Sequence, residues 1–303
     1  MSESKEVNAS LRSVLNQPSE TAMGTATLRA LAAHDTREEI KGPDNLAEIF
    51  LIEDRKAPLN DLAKRQWVMQ NKIAPGAYEF MIARTAFFDQ VVKKALVENL
   101  PQIVFLGAGY DTRPYRFKDL VRETRIFELD APPTQLRKRE VLEKNAIALP
   151  HGLKFVPIDF SQDNLQAVML KAGFSMDKPV LFVWEGVTYY LSSEIVDETL
   201  SAVRTLSAAG GSICFDYASL SPETLSEEGA RKMREHLKSN HPGEPTKFGI
   251  PRGTLESFLG ERGYGVVECL SSSDMDAMSL TLRDGTLVGN VPTLFSLVHA
   301  AVR

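Results

Sequence analysis

The sequence predicts a doubly wound α/β domain, with a seven-stranded, mostly parallel sheet whose last strand is antiparallel, preceded by a helical segment. Three observations carry this reading. From about residue 102 onward, short and continuously apolar runs alternate with helical stretches, the pattern of a parallel sheet covered on both faces. No convincing strand precedes that point. The last two apolar runs follow one another without a strong helix between them, which suits a closing antiparallel pair.

Taken in order, residues 1–98 read as an N-terminal helical cap and 99–303 as the sheet domain. Within the cap, Thr21 to Ala33 and Asn45 to Leu51 carry helix-like patterns. The longest runs from Ala77 to Val97, where Phe80, Met81, Phe87, Phe88, Val91, Val92 and Ala95 share a face at helical spacing. The strand candidates are IVFLG at 103–107, RIFELD at 125–130, LKFVPIDF at 153–160, PVLFVWEG at 179–186, SICFDY at 212–217, YGVVECL at 264–270 and TLFSLVHAAV at 293–302. Helices are predicted at 133–144, 193–207 and 252–260. The charged stretch 221–250, with one helix-like portion and a Pro/Gly-rich end, is an insertion, either a lid or a solvated connector.

The composition sets limits on function. Of 303 residues, 43% are hydrophobic and 25% charged, ordinary usage for a globular chain. A net charge of -5 offers no basic field to gather nucleic acid. No apolar run approaches the ~18 residues of a membrane span. The polar N-terminus lacks the basic start and apolar core of a secretion signal. Cys214 and Cys269 alone form neither a disulfide framework nor a metal-ligand spacing, so no metal is expected and the chain reads as cytoplasmic.

Ligands in open α/β sheets bind beyond the carboxyl ends of the strands. Here those ends repeat one chemistry: Gly107-Ala108-Gly109 after the first run, then Asp130, Asp159, Glu185 and Asp216. A lone aspartate there is often only a helix cap. Four acids on successive strands describe a cavity that favours a cation or a ligand rich in donors. Gly107 and Gly109 let the backbone turn sharply and approach a ligand, and Asp130 stands where an acid accepts both hydroxyls of a ribose. Together they suggest adenosine. A nicotinamide dinucleotide fits poorly, because its third glycine is Thr112 here and Asp111 would face the pyrophosphate. S-adenosylmethionine, phosphate-free and carrying a sulfonium and an ammonium, suits an acidic pocket. Arg84 shares the inward face of its helix, and a buried arginine needs an anion. That anion is one of the acids above or the carboxylate of the cofactor's methionine portion.

The strings LGAGYDTRPYRF at 106–117, FELDAPPTQLRKRE at 127–140 and VWEGVTYYLS at 183–192 resemble the leucine carboxyl methyltransferase family. SETAMGTATLRA at 19–30 and MIARTAFFDQ at 81–90 resemble its bacterial branch of S-adenosylmethionine-dependent methyltransferases. The resemblance runs from about residue 19 to the end. It implies a Rossmann-like class I methyltransferase sheet with N-terminal helices and a late lid. It also implies that Arg84 holds the methionine carboxylate, Gly107 borders the methionine portion, Asp130 takes the ribose hydroxyls, Asp159 and the backbone of Phe160 read the adenine, and Glu185 sits near the amino group. Asp216 receives no role from it, and a cap or core hydrogen bond is its expected job.

A carboxylate acceptor, with a pKa near ~4, is ionised at neutral pH and needs no general base. The sequence accordingly offers no Ser/His/Asp or Cys/His arrangement, and no residue is assigned as catalytic. His236 and His241 would matter if the acceptor were a hydroxyl, which needs a base. Arg113, Tyr189 and Tyr190 lie beside the cofactor motifs. Arg113 either meets a substrate carboxylate or pairs with Asp111; the tyrosines either touch the acceptor or pack under a helix. The expected activity is O-methyl transfer to a carboxylate of a small metabolite. The alternatives are a protein C-terminus as acceptor and a cofactor-binding regulator without turnover.

Overall fold

A computed structural model describes residues 17–160, 162–240 and 246–303. Its seven strands form one sheet: β1 Gln102–Leu106, β2 Arg125–Asp130, β3 Leu153–Pro157, β4 Val180–Trp184, β5 Gly211–Ala218, β6 Tyr264–Leu270 and β7 Phe295–Val302. The spatial order is β3-β2-β1-β4-β5-β7-β6. The pairings among β1 to β5 are parallel, and β7 runs antiparallel to both neighbours, opposing Cys214 to His299 on β5 and Cys269 to Val298 on β6. The predicted architecture is what forms. All five residues of β1 and of β4 are buried, the reason those strands read as unbroken apolar runs rather than alternating ones.

The chain leaves β1 toward β2 and β3, then crosses back to place β4 on the other side of β1. Strand order therefore reverses between β1 and β4, and a crevice opens at their carboxyl ends. Two apolar layers flank the sheet. One joins Ile103 and Phe105 to the N-terminal helices, and the other joins Val104 and Leu106 to Phe182, Trp184 and the crossover helices.

The N-terminal segment contributes α1 Glu20–Ala33, α2 Leu62–Asn71 and α3 Ala77–Val97, with a 3-10 turn at Ala47–Phe50 inside the stretch expected to be helical. Ser19 caps α1 by accepting from the Ala22 N–H. Fourteen of the 21 residues of α3 are buried, among them every apolar position its periodicity selects. No side chain of α2 is buried, so it lacks the apolar stripe by which a sequence announces a helix. Beyond β2 come α4 Pro132–Lys144, α5 Leu165–Lys171, α6 Ser193–Leu206, α7 Glu228–Asn240 and α8 Leu255–Glu261. The loop between β6 and β7 holds a helix the sequence reading passed over, α9 Ser272–Ser279, set by a capping box of Ser271 and Asp274. In the insertion, Ala230 and Met233 of α7 are buried against the N-terminal helices and β7, while Glu228–Lys232 and Arg231–Glu235 pairs line its solvent side. His241 lies outside the described residues. No helix among the described residues is long and apolar enough to cross a membrane.

Candidate functional site

The loop after β1 begins the site. Gly107 and Gly109 adopt left-handed backbone, with φ of 69° and 44°. A Cβ at Gly107 would sit 2.9 Å from Val187 Cγ2, so conformation and space both call for glycine there. The bend turns the Gly109 N–H onto Asp130 Oδ2, while Asp130 Oδ1 accepts from the Ala131 N–H at 2.7 Å. Burial pushes the Asp130 carboxyl above its ordinary pKa, and the two backbone donors partly offset this. Each carboxylate oxygen has accepted one hydrogen bond and keeps capacity for another.

A cavity of about 240 Å³ opens at this point. All seven residues expected to bind a cofactor (Arg84, Gly107, Gly109, Asp130, Asp159, Phe160 and Glu185) line it. The loop beyond β4 closes one side. Gly186 has a φ of 74°, and a Cβ there would point at Arg84 Nη1 from 3.4 Å.

Beneath the cavity runs a chain of buried charges. Arg29 Nε meets Asp44 at 3.3 Å, Asp44 meets Arg116 at 3.5 Å, and Arg116 binds Asp89 at 2.7 Å. Asp89 reaches Arg113 at 2.8 Å, Arg113 reaches Glu185 at 2.6 Å, and Glu185 reaches Arg84 at 3.0 Å. Arg84 ends the chain on Asp216 at 3.0 Å, and Asp111 branches from Arg113 at 2.6 Å. Four arginines thus face five carboxylates. Such a network suits one further positive group more than a negative one.

Arg84 is 3% exposed and paired with Glu185 and Asp216, the protein acids that were one of its two expected partners, yet it still borders the cavity. Among the described residues its Nη2 donates only to the weak acceptor Met81 Sδ, at 3.5 Å. Arg113 is fully buried among Asp89, Asp111 and Glu185 and is absent from the cavity wall. The structure pairs Arg113 with Asp111, one of its two expected partners, and keeps it off the cavity wall. Tyr190 lines the cavity; Tyr189 is buried, with its hydroxyl near Arg84 Nη1 and Asp216. Asp216 serves the core as expected, accepting from the Gly186 N–H at 2.7 Å as well as from Arg84.

Glu185 carries the most telling atom. Its Oε2 accepts from Arg113, whereas the buried Oε1 lies 3.0 Å from Arg84 Nε but off the donor axis and accepts no hydrogen bond among the described residues. Buried oxygens are rarely left so. Sequence reasoning missed Thr21 and Thr25 of α1, which also line the cavity, and the ionic role of Asp89. The string of small residues at 21–27 was the available signal for the first, and a charged residue on an otherwise apolar helix face for the second.

Comparison with known proteins bears on this arrangement. The family model described as leucine carboxyl methyltransferase matches residues 22–204. The chain belongs to the leucine carboxyl methyltransferase family. YktD of Bacillus subtilis, whose name assigns it provisionally to S-adenosyl-L-methionine-dependent methyl transfer, is 31% identical over 77% of this chain and 74% of its own length. A Mycolicibacterium smegmatis protein named in the same provisional terms is 28% identical over 81% of this chain and 82% of its own. Among solved structures, one from Thermobifida fusca, described provisionally as a methyltransferase, aligns with a TM-score of 0.58 at 15% identity, covering 95% of this chain and 96% of that one. A DUF574 family protein from Streptomyces avermitilis aligns at 0.55 and 15% identity, over 91% and 97%. At such identity these likenesses speak to the fold.

Proposed function

We propose that this protein binds S-adenosylmethionine in the cavity beyond β1 and β4 and methylates an oxygen, a carboxylate, of a small-molecule acceptor. The observation that carries the reading is Glu185, whose buried Oε1 accepts no hydrogen bond among the described residues, on the wall of a cavity that also holds Asp130 and the glycine bend. The ammonium of the methionine portion supplies the missing donor. Asp130 keeps acceptor capacity for ribose hydroxyls, Asp159 and Phe160 border the adenine end, and Arg84 Nη2 serves the methionine carboxylate.

When bound, S-adenosylmethionine supplies a methyl group on a positively charged sulfur, so that an O–CH₃ bond forms as the S–CH₃ bond breaks and its electron pair stays on sulfur. A carboxylate acceptor is already ionised at neutral pH, so no side chain has to remove a proton. The protein contributes alignment and exclusion of water from the nucleophile, and orientation alone is worth ~7–11 kcal/mol in favourable cases. The site's fixed ion pairs suit that task, since they hold Arg84 and Glu185 from several sides.

Calorimetry with S-adenosylhomocysteine and with NAD tests the reading. Micromolar binding of the first and none of the second is the expected result; the reverse preference would refute it. Transfer of labelled methyl from S-adenosylmethionine to a base-labile ester in a small-molecule extract then separates an enzyme from a binding protein.

A further inference from the structure

The cavity described above is continued by a second chamber of about 420 Å³, and the two share Thr21, Thr25, Arg84, Gly186 and Tyr190 on their walls. The far walls are largely apolar: Val68 of α2, Phe80 of α3, Met233 of α7 and Phe295 of β7. The volume falls in the ~300–1,000 Å³ range of pockets that enclose small molecules. No side chain of α2 is buried, and α7 reaches the chamber through Met233 and His236.

Gly24 also lines this chamber and does not line the first one. It stands inside the helix Glu20–Ala33, where glycine costs about 1 kcal/mol relative to alanine. Glycines in helices commonly answer a close approach by another element, but a Cβ placed here meets nothing within 4 Å. No positive φ requires it either, in contrast to Gly107, Gly109 and Gly186. What the missing side chain leaves is empty volume, on the same face as Thr21 and Leu28.

We propose that this chamber takes the apolar body of a small organic acid, and that Gly24 sets the size of body admitted. The inference rests on the methyltransferase reading and names its acceptor class. Charge supports the acid. Among the described residues, Asp54 is the single carboxylate on the chamber wall, against Arg55 and Lys72, with Arg84 already paired to Glu185 and Asp216 behind it. Arg55 is held by Glu20 at 3.0 Å, whereas the Lys72 ammonium rests 5.6 Å over the Trp67 ring and has no ion pair among the described residues. An anion entering past Lys72 meets its ammonium, and its chain then exchanges water for Val68, Phe80 and Phe295.

The experiment is calorimetry on the whole chain saturated with S-adenosylhomocysteine, titrated with decanoate or with acetate. Acetate carries the same carboxylate without the apolar body. Decanoate should bind and acetate should not. Gly24→Leu, which places an isobutyl group in the chamber, should weaken decanoate at least tenfold while leaving S-adenosylhomocysteine affinity and Tm at or above wild-type values; Gly24→Ala should lie between. Wild-type decanoate affinity in Gly24→Leu would overturn the proposal, as would equal affinity for acetate and decanoate. Loss of S-adenosylhomocysteine affinity in that variant would move Gly24 to the other cavity and overturn it too. Failure of the wild-type chain to bind S-adenosylhomocysteine would instead sink the cofactor reading. Decanoate titrated alone would then judge the chamber, which survives if binding occurs and Gly24→Leu abolishes it.

Discussion

Arg113→Met removes a guanidinium that is completely buried and keeps most of its apolar stem. The three acids around it do not lose equally. Asp89 retains Arg116 at 2.7 Å and Glu185 retains Arg84 at 3.0 Å, whereas among the described residues Asp111 forms an ion pair with Arg113 alone. Breaking a buried pair costs ~3–5 kcal/mol, because the surviving charge stays desolvated. A second route gives the pH dependence. Burial would push the Asp111 carboxyl up, but the charges of Arg113, Arg29 and Lys138 outweigh it and hold the group at about 2, below the ordinary 3.8. That difference corresponds to about 2 kcal/mol of stability, fully present above the unfolded value and lost as pH falls through about 2. In the variant the chief attraction is gone and burial dominates, so the Asp111 carboxyl rises above 3.8. The deficit should be complete at pH 7 and shrink toward pH 4 as the group takes up its proton. Urea unfolding of both proteins at the two pH values measures it. A deficit below about 1 kcal/mol at pH 7 would refute the network account. A normally stable variant that has lost methyl transfer would return Arg113 to the substrate.

Asp130→Ala should lower S-adenosylhomocysteine affinity by one to two orders of magnitude, since hydrogen bonds to a charged group are worth about 1.5–3 kcal/mol each; calorimetry at neutral pH reads this, and unchanged affinity would remove Asp130 from the site. The buried Glu128 on β2 is pushed up to about 7 by desolvation, against the pull of Lys138 at 2.7 Å. Its folded-state value exceeds the ordinary 4.5, so its contribution is present below pH 4.5 and declines as pH rises toward 7. Glu128→Gln should therefore flatten the fall in stability between pH 5 and 8, a fall of at most about 3 kcal/mol from this group, and identical slopes in the two proteins would contradict it.

How far the sequence could be read depends on what each residue reports. The windows 125–130 and 264–270 coincide with β2 and β6, because a doubly covered or terminal strand leaves an apolar run bounded by turn residues. The helix α2 packs only the half-buried Val68 and Met69 against the core, too little to leave a periodic trace. Ser272–Ser279 depends on its cap, a local hydrogen-bond pattern without an apolar stripe. At the site, the interval from Gly109 to Asp130 was readable because a backbone bend and an acid on the next strand meet directly. The pairing of Asp89 with both Arg113 and Arg116 was not, because it joins side chains from α3 to the turn after β1, and spacing along the chain says nothing about such a meeting.

The buried charges also bear on how the molecule comes apart. Asp44, Arg84 and Asp89 come from the segment before the sheet, while Arg113 and Arg116 come from a helical turn after β1, Glu185 from the end of β4 and Asp216 from β5. Peeling one layer off the other would strand ions of both signs at a partly dry surface, a state costlier than either the native or the fully hydrated chain. Heating should accordingly give a single calorimetric peak, its van't Hoff and calorimetric enthalpies in agreement, although the chain exceeds the size at which such all-or-none melting is the rule.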